Sequence, residues 1–385
     1  MKMKIYSLQE VATIIAGQSP NSKYYNTDGN GIPFFQGKTD FGDLYPKVRV
    51  YCTNPIKIAE KNDILLSVRA PVGPTNLSPG KVCIGRGLTA IRPNEKIRLK
   101  YLLYFFRYFE TQLQRQGTGT TFKAITQNVI KNLKIPVPSL PEQERIVARI
   151  EELFSELDKA VETLKTTQQQ LAVYRQAVYA SIFDHGTLRP ITDFFEISGG
   201  LTKNSKRHEF HTKMPYLRVA NVYYNFLDLR EIKQIGVMPN EIERTLLQKD
   251  DLLFVEGNGS KSQIGRVAIW DGSIKNCLHQ NHLIKGRPIG GMLPKYALFY
   301  LISGYGRKQI LDIASSTSGL YTLSINKIKN LKIPYIDIDD QKKSLELIDS
   351  RLSCCDQIER TVDTALQQAE AMRQSILKQA FEGGL

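Results

Sequence analysis

Seven residues, Ile-Lys-Asn-Leu-Lys-Ile-Pro, occur twice in this chain, at Ile130–Pro136 and at Ile328–Pro334, about 200 positions apart. Each copy leads into a long stretch of helical periodicity, the second running to Leu385. The match continues without a gap: Gln143 with Gln341, Ile150 with Ile348, Asp158 with Asp356, Arg175 with Arg373, Phe183 with Phe381. One register held over roughly 55 positions means two domain-sized units in tandem, not a solenoid of short repeats. The front halves match more loosely, "IPFFQGKTD" answering "MPYLRVANV" and "KNDILLSV" answering "KDDLLFVE". The repeating unit is therefore a variable globular half followed by a fixed helical half, which predicts a pseudo-two-fold molecule.

The division predicts four segments: globular residues 1–136, a helix within 137–186, globular residues 187–334 and a helix within 335–385. The globular halves read as mixed α/β (α+β), with short strands such as Ile64–Val68 and Asp251–Val255 between Gly- and Pro-rich turns. The aromatic run from Tyr101 to Phe109 reads as the core face of a helix. In the helices apolar residues recur by sevens: Ile150, Leu157, Leu164, Leu171 and Val178 in the first, Ile348, Cys355, Val362, Ala369 and Ile376 in the second. Such a seam needs a partner, and each helix is the obvious partner of the other.

Charge is unevenly shared. The chain carries +14, but residues 141–186 carry −3 and residues 340–385 carry −2, leaving +19 on the rest. Basic globular halves beside mildly acidic helices favour a polyanion bound by the former. The five cysteines form no C-x-x-C pattern, as expected of free thiols in a reducing cytoplasm. No apolar run of membrane length and no leader is evident.

Motifs for chemistry are missing. Gln36-Gly37-Lys38-Thr39 ends like a phosphate-binding loop, but Ile32 stands where its first glycine belongs and no helix pattern follows. His279/His282 and His208/His211 lack the further ligands a zinc site needs, so no metal is expected. Polar side chains suited to base edges do occur in matching places. In the first half these are Gln36, Lys38, Thr39, Arg69, Arg86, Thr120, Thr121 and Lys123; in the second, Arg218, Asn221, Lys261, Ser262, Gln263, Gln280 and Asn281. Arg and Lys suit guanine O6/N7, and Asn and Gln suit adenine N6/N7. Taken singly, each is also what a solvated loop carries. As a set, they suggest two different half-sequences being read.

The chain resembles the specificity (S) subunit of type I restriction-modification systems over essentially its whole length. "NLKIPVPSLPEQERIVARIEELF" with its degenerate repeat, "LHQNHLIKGRP" at 278–288 and the alternation of variable half and helix carry the resemblance. Asp339-Asp340-Gln341 departs from it, standing where the first copy has Pro141-Glu142-Gln143. The resemblance implies two target-recognition domains, each reading one half of a split, asymmetric site in double-stranded DNA. It implies two helices forming an antiparallel coiled coil that sets the gap. It also implies docking of two modification subunits and, with them, restriction subunits. S-adenosylmethionine, ATP and Mg are then expected on those partners only, with no cofactor and no catalysis on this chain. The competing readings are a stand-alone DNA methyltransferase or nuclease and a non-specific architectural DNA binder.

Overall fold

The duplication visible in the sequence recurs bond by bond in the backbone. In this computed structural model, which describes residues 4–117, 124–317 and 319–384, the chain forms two units: residues 1–165 with 363–385, and residues 166–362. Each contains a four-stranded antiparallel sheet of the same order. In the first unit the order is Ala12–Ala16, Leu88–Pro93, Ile64–Ser67, Thr75–Leu77. In the second it is Phe195–Gly199, Leu283–Pro288, Leu252–Val255, Val267–Ile269. The central strands are apolar on both faces because both faces are covered. Ile64 and Leu66 join one core cluster and Leu65 another; Leu252 and Phe254 join one, Leu253 and Val255 another. This is the two-residue alternation of a strand buried on both sides.

A second sheet in each unit supplies a parallel pairing. Phe34 lies opposite Cys83 in the first unit, and Tyr216 opposite Leu278 in the second. The same bidentate ion pair closes both four-stranded sheets: Arg92 donates twice to Asp63, and Arg287 donates twice to Asp251, all at 2.8–3.0 Å. Each repeated heptapeptide begins inside a short helix, Gln127–Lys131 or Ile325–Lys329, capped by a hydroxyl of Thr126 or Ser324. Each then continues as a strand, Lys134–Val137 paired with Lys4–Ser7, or Lys332–Tyr335 paired with Thr187–Pro190.

The long helices run unbroken over Leu140–Phe183 and Ile338–Glu382, 44 and 45 residues. A fully buried glutamine anchors each start. Gln143 accepts from Arg98 N and donates to the carbonyls of Lys96 and Pro138. Gln341 accepts from Leu293 N and donates to those of Gly291 and Ile336. Within the first unit, the early part of the first helix packs with the last turns of the second. Ile150, Ala369 and Ile376 are buried, with Leu157 and Leu164 half-buried. Arg373 pairs with Asp158, and its guanidinium lies over Phe154. Within the second unit, the last part of the first helix packs with the early part of the second. Val178, Ile348, Cys355 and Val362 are buried and Leu171 is half-buried. Arg175 donates to Asp356 and Glu359 at 2.7 Å. The pairing in each unit is antiparallel, and Arg373–Asp158 in the first unit answers Arg175–Asp356 in the second.

The aromatic run belongs to helix Leu99–Gln116, where Tyr101, Phe105 and Phe106 are buried. Phe381, at the end of the second long helix, packs edge-on against Tyr101 and Phe105. In the second unit Phe183, at the end of the first long helix, packs edge-on against Tyr296 and Tyr300.

Candidate nucleic-acid interface

Strand Ile32–Phe35 delivers the chain into the turn Lys38–Asp40, and the strand beside it ends in the tight turn Gly85-Arg86-Gly87. Gly85 N donates to Phe35 O at 2.8 Å and Leu88 N to Gly85 O at 3.0 Å. A side chain on Gly87 would meet the Gln36 carbonyl, so glycine is required there. Asp40 fixes the other turn by accepting from Gln36 N and Gly37 N, while Arg49 holds its second oxygen at 2.6 Å. The result is one pocket of about 220 Å3 lined by Gln36, Lys38, Thr39, Arg69 and Arg86 among others. Five residues singled out from the sequence, separated by up to 50 positions, thus come together, and all five are exposed. The volume falls below the roughly 300–1,000 Å3 of small-molecule sites. Three cations and two neutral hydrogen-bonding side chains suit an anionic, polar-edged surface laid across the opening. Thr120, Thr121 and Lys123 lie outside the described residues.

The second unit repeats the frame with other side chains. Gln280 N donates to Leu217 O and Leu283 N to Gln280 O, so Gln280 stands where Gly85 stands and Asn281 where Arg86 stands. Arg218 follows its strand as Gln36 does, and its N–H is held by a side chain in the same way. Its guanidinium reaches the Glu231 carbonyl and carboxylate at 3.3 and 3.4 Å. Gln280 and Asn281 are half-buried, and Lys261 and Ser262 are exposed in the loop after Gly257–Asn258. Gln263 is half-buried, its amide oxygen 3.5 Å from Arg266.

Asn221 requires a correction. It is buried, its Oδ1 accepts from Arg218 N, and its Nδ2 donates to the carbonyls of Asp228 and Glu231. Its counterpart is the capping Asp40, not Thr39, because the first turn has one extra residue, Gly37. Buried, with both amide donors spent on its own loop, it cannot present the donor–acceptor edge that reading adenine needs.

The histidines separate in the same way. His279 is core, its Nδ1 2.9 Å from Thr245 O, and burial pushes its pKa down to about 3, helped by the Lys285 ammonium, so it is neutral. His282, weighed from its spacing only as a metal ligand, is exposed beside Glu256 at 2.8 Å and next to Asn281. Among the described residues no group of three or more His, Cys, Asp or Glu is arranged to hold a metal. Nor is any helix there long and apolar enough to cross a membrane.

The family model for the type I restriction modification DNA specificity domain matches this chain twice, over residues 1–171 and 187–368. The chain belongs to that family. The two matches to the specificity domain begin close to where each unit's first paired strand begins, at Lys4 and Thr187. A Methanocaldococcus jannaschii chain assigned as the MjaX type I restriction enzyme specificity subunit is 42% identical over 159 residues, 41% of this chain and 36% of its own length. The EcoKI specificity subunit of Escherichia coli is 25% identical over 330 residues, 80% of this chain and 70% of that one. Among solved structures, the HsdS subunit from Thermoanaerobacter tengcongensis is 47% identical, with 40% of this chain and 37% of that chain covered and a TM-score of 0.37. The match thus spans little more than a third of the MjaX and Thermoanaerobacter chains.

Proposed function

We propose that this specificity-domain chain selects the DNA sequence on which a type I restriction-modification assembly acts. Each unit reads one half of a split, asymmetric site in double-stranded DNA. The observation that carries this is the doubled frame with unlike side chains: Gln36 and Arg86 in one unit, Arg218 and Asn281 at the same backbone positions in the other. Equal scaffolds with unequal hydrogen-bonding edges are what two different half-sites require. Lys38, Arg69, Lys261 and their basic surroundings hold phosphates and set orientation. The long helices fix the gap and dock two modification subunits, with which the restriction subunits assemble. The chain performs no reaction itself; S-adenosylmethionine, ATP and Mg act on the partners, in the cytoplasm, where the five free thiols stay reduced.

Methylation mapped across the genome, with and without this gene, tests the proposal. A split adenine-methylation motif that disappears with the gene is the expected result. The assembled complex should also lose affinity steeply as salt rises from 50 to 200 mM, since several phosphate contacts release counterions. Methylation by the isolated chain, or equal affinity for all sequences, would overturn the reading.

A further inference from the structure

Each unit carries a short hairpin that leaves the turn just described. In the first, Lys47 N closes back on the Asp40 carbonyl at 2.7 Å; in the second, Asp228 N closes on the Asn221 carbonyl at 2.9 Å. Since Asp40 and Asn221 are equivalent, both loops close at the same distance along the chain. Within them Gly42 N donates to Tyr45 O, and Tyr223 pairs across from Phe226. This places Tyr45 and Phe226 at one position of the repeat. The loops, "FGDLYPK" and "VYYNFLD", share no sequence except an aromatic ring there.

Neither ring is in a core: Tyr45 is 46% exposed and Phe226 59%. A single exposed ring is ordinary; the same one in two otherwise unlike loops, each held rigidly, is not. Buried Asn76 grips Gly42 through both its amide atoms at 3.0 Å, and Leu77 N donates to Leu44 O. In the second unit Asn225 N donates to Val267 O at 3.0 Å, and the guanidinium groups of Arg266 and Arg307 lie 4.8 and 5.0 Å over Tyr223 and Tyr224. Arg266 is buried, and its Nε has no hydrogen-bond partner. In the second unit the hairpin's base is thus packed on two guanidinium groups.

We infer that Tyr45 and Phe226 pack against the C5-methyl group of thymine in the major groove, one in each half-site. The inference rests on the DNA-reading function proposed above. The hairpin enters the groove read by the turn it springs from, and the major groove admits a two-stranded ribbon. The thymine methyl is the apolar feature of that groove. A wedge driven between base steps would enter from the minor groove instead.

The test uses the assembled complex and its mapped motif, with duplexes in which thymines are replaced one at a time by uracil, which removes the methyl alone. In each half one replacement should weaken wild-type binding about fourfold, the worth of one buried methyl. Tyr45→Ala and Phe226→Ala should each weaken binding to the thymine duplex at least as much, in one half each. The matching uracil should then have no further effect, and the salt slope should be unchanged. Full affinity in both variants, a uracil effect that persists in them, or a loss equal for every sequence would overturn the inference. A wild-type complex blind to its motif would overturn the DNA-reading proposal itself, a distinct result.

Discussion

Lys285 stands where the first unit has Ala90, as the strand registers Lys285 opposite Leu253 and Ala90 opposite Leu65 establish. Its ammonium is buried and donates to the carbonyls of Arg244 and Leu246. Burial first, then the Arg287 guanidinium, pushes its pKa down to about 8. Between pH 8 and the unfolded value the unfolded chain binds more protons than the folded one, so this lysine makes stability rise with pH. The buried thiols of Cys83 and Cys277, pushed up to about 11 and about 12, act oppositely above pH 9, because the fold retains protons that the unfolded chain releases. Wild-type stability should therefore gain about 1 kcal/mol on Lys285→Met between pH 7 and 9. Urea unfolding of both proteins across that range checks it, and parallel pH profiles would refute it. Neither this lysine nor the misreading of Asn221 was legible in the sequence. A burial cost needs the neighbours from other strands, and a one-residue insertion, Gly37, shifted the pairing of the two turns. That Gln36 and Arg86 stand just beyond apolar runs was legible in the sequence.

The elements that sequence reading placed well are those with periodic signals. Heptads located both long helices, whose seam rows are buried or half-buried along their length. The hairpins behind Tyr45 and Phe226 were invisible, since their equivalence lies in backbone hydrogen bonds and not in shared residues. Also hidden was which helix end each globular half would use. Phe381 packs on Tyr101, Phe105 and Tyr108, so the first half is completed by the last turns of the second helix. Phe183 completes the second half in the same manner. Phe381→Ala should cost about 3–5 kcal/mol in urea unfolding, as deletion of a buried ring does. Phe183→Ala should cost as much. If Phe381→Ala were neutral, the last turns would be dispensable to the first unit.

At the scale of the whole chain, each unit is built from residues of both long helices, so neither helix belongs to one unit alone. Under the proposed function this arrangement makes helix length a determinant of the DNA gap. Removing seven residues from each helix keeps every seam residue in phase, because the apolar pattern repeats by sevens. It shortens each helix by about 10 Å at 1.5 Å per residue. At 3.4 Å per base pair the gap between half-sites should close by about three base pairs, with both half-sequences unchanged. Removing two residues instead should turn the rest of each helix by about 200°, leaving Leu164 and Val362 on the wrong face for their partners, and should abolish site selection rather than shift it. Methylation mapping of the two deletion strains reads both outcomes. A gap that stays constant in the seven-residue deletion would remove the helices from any measuring role and leave them as docking surfaces only.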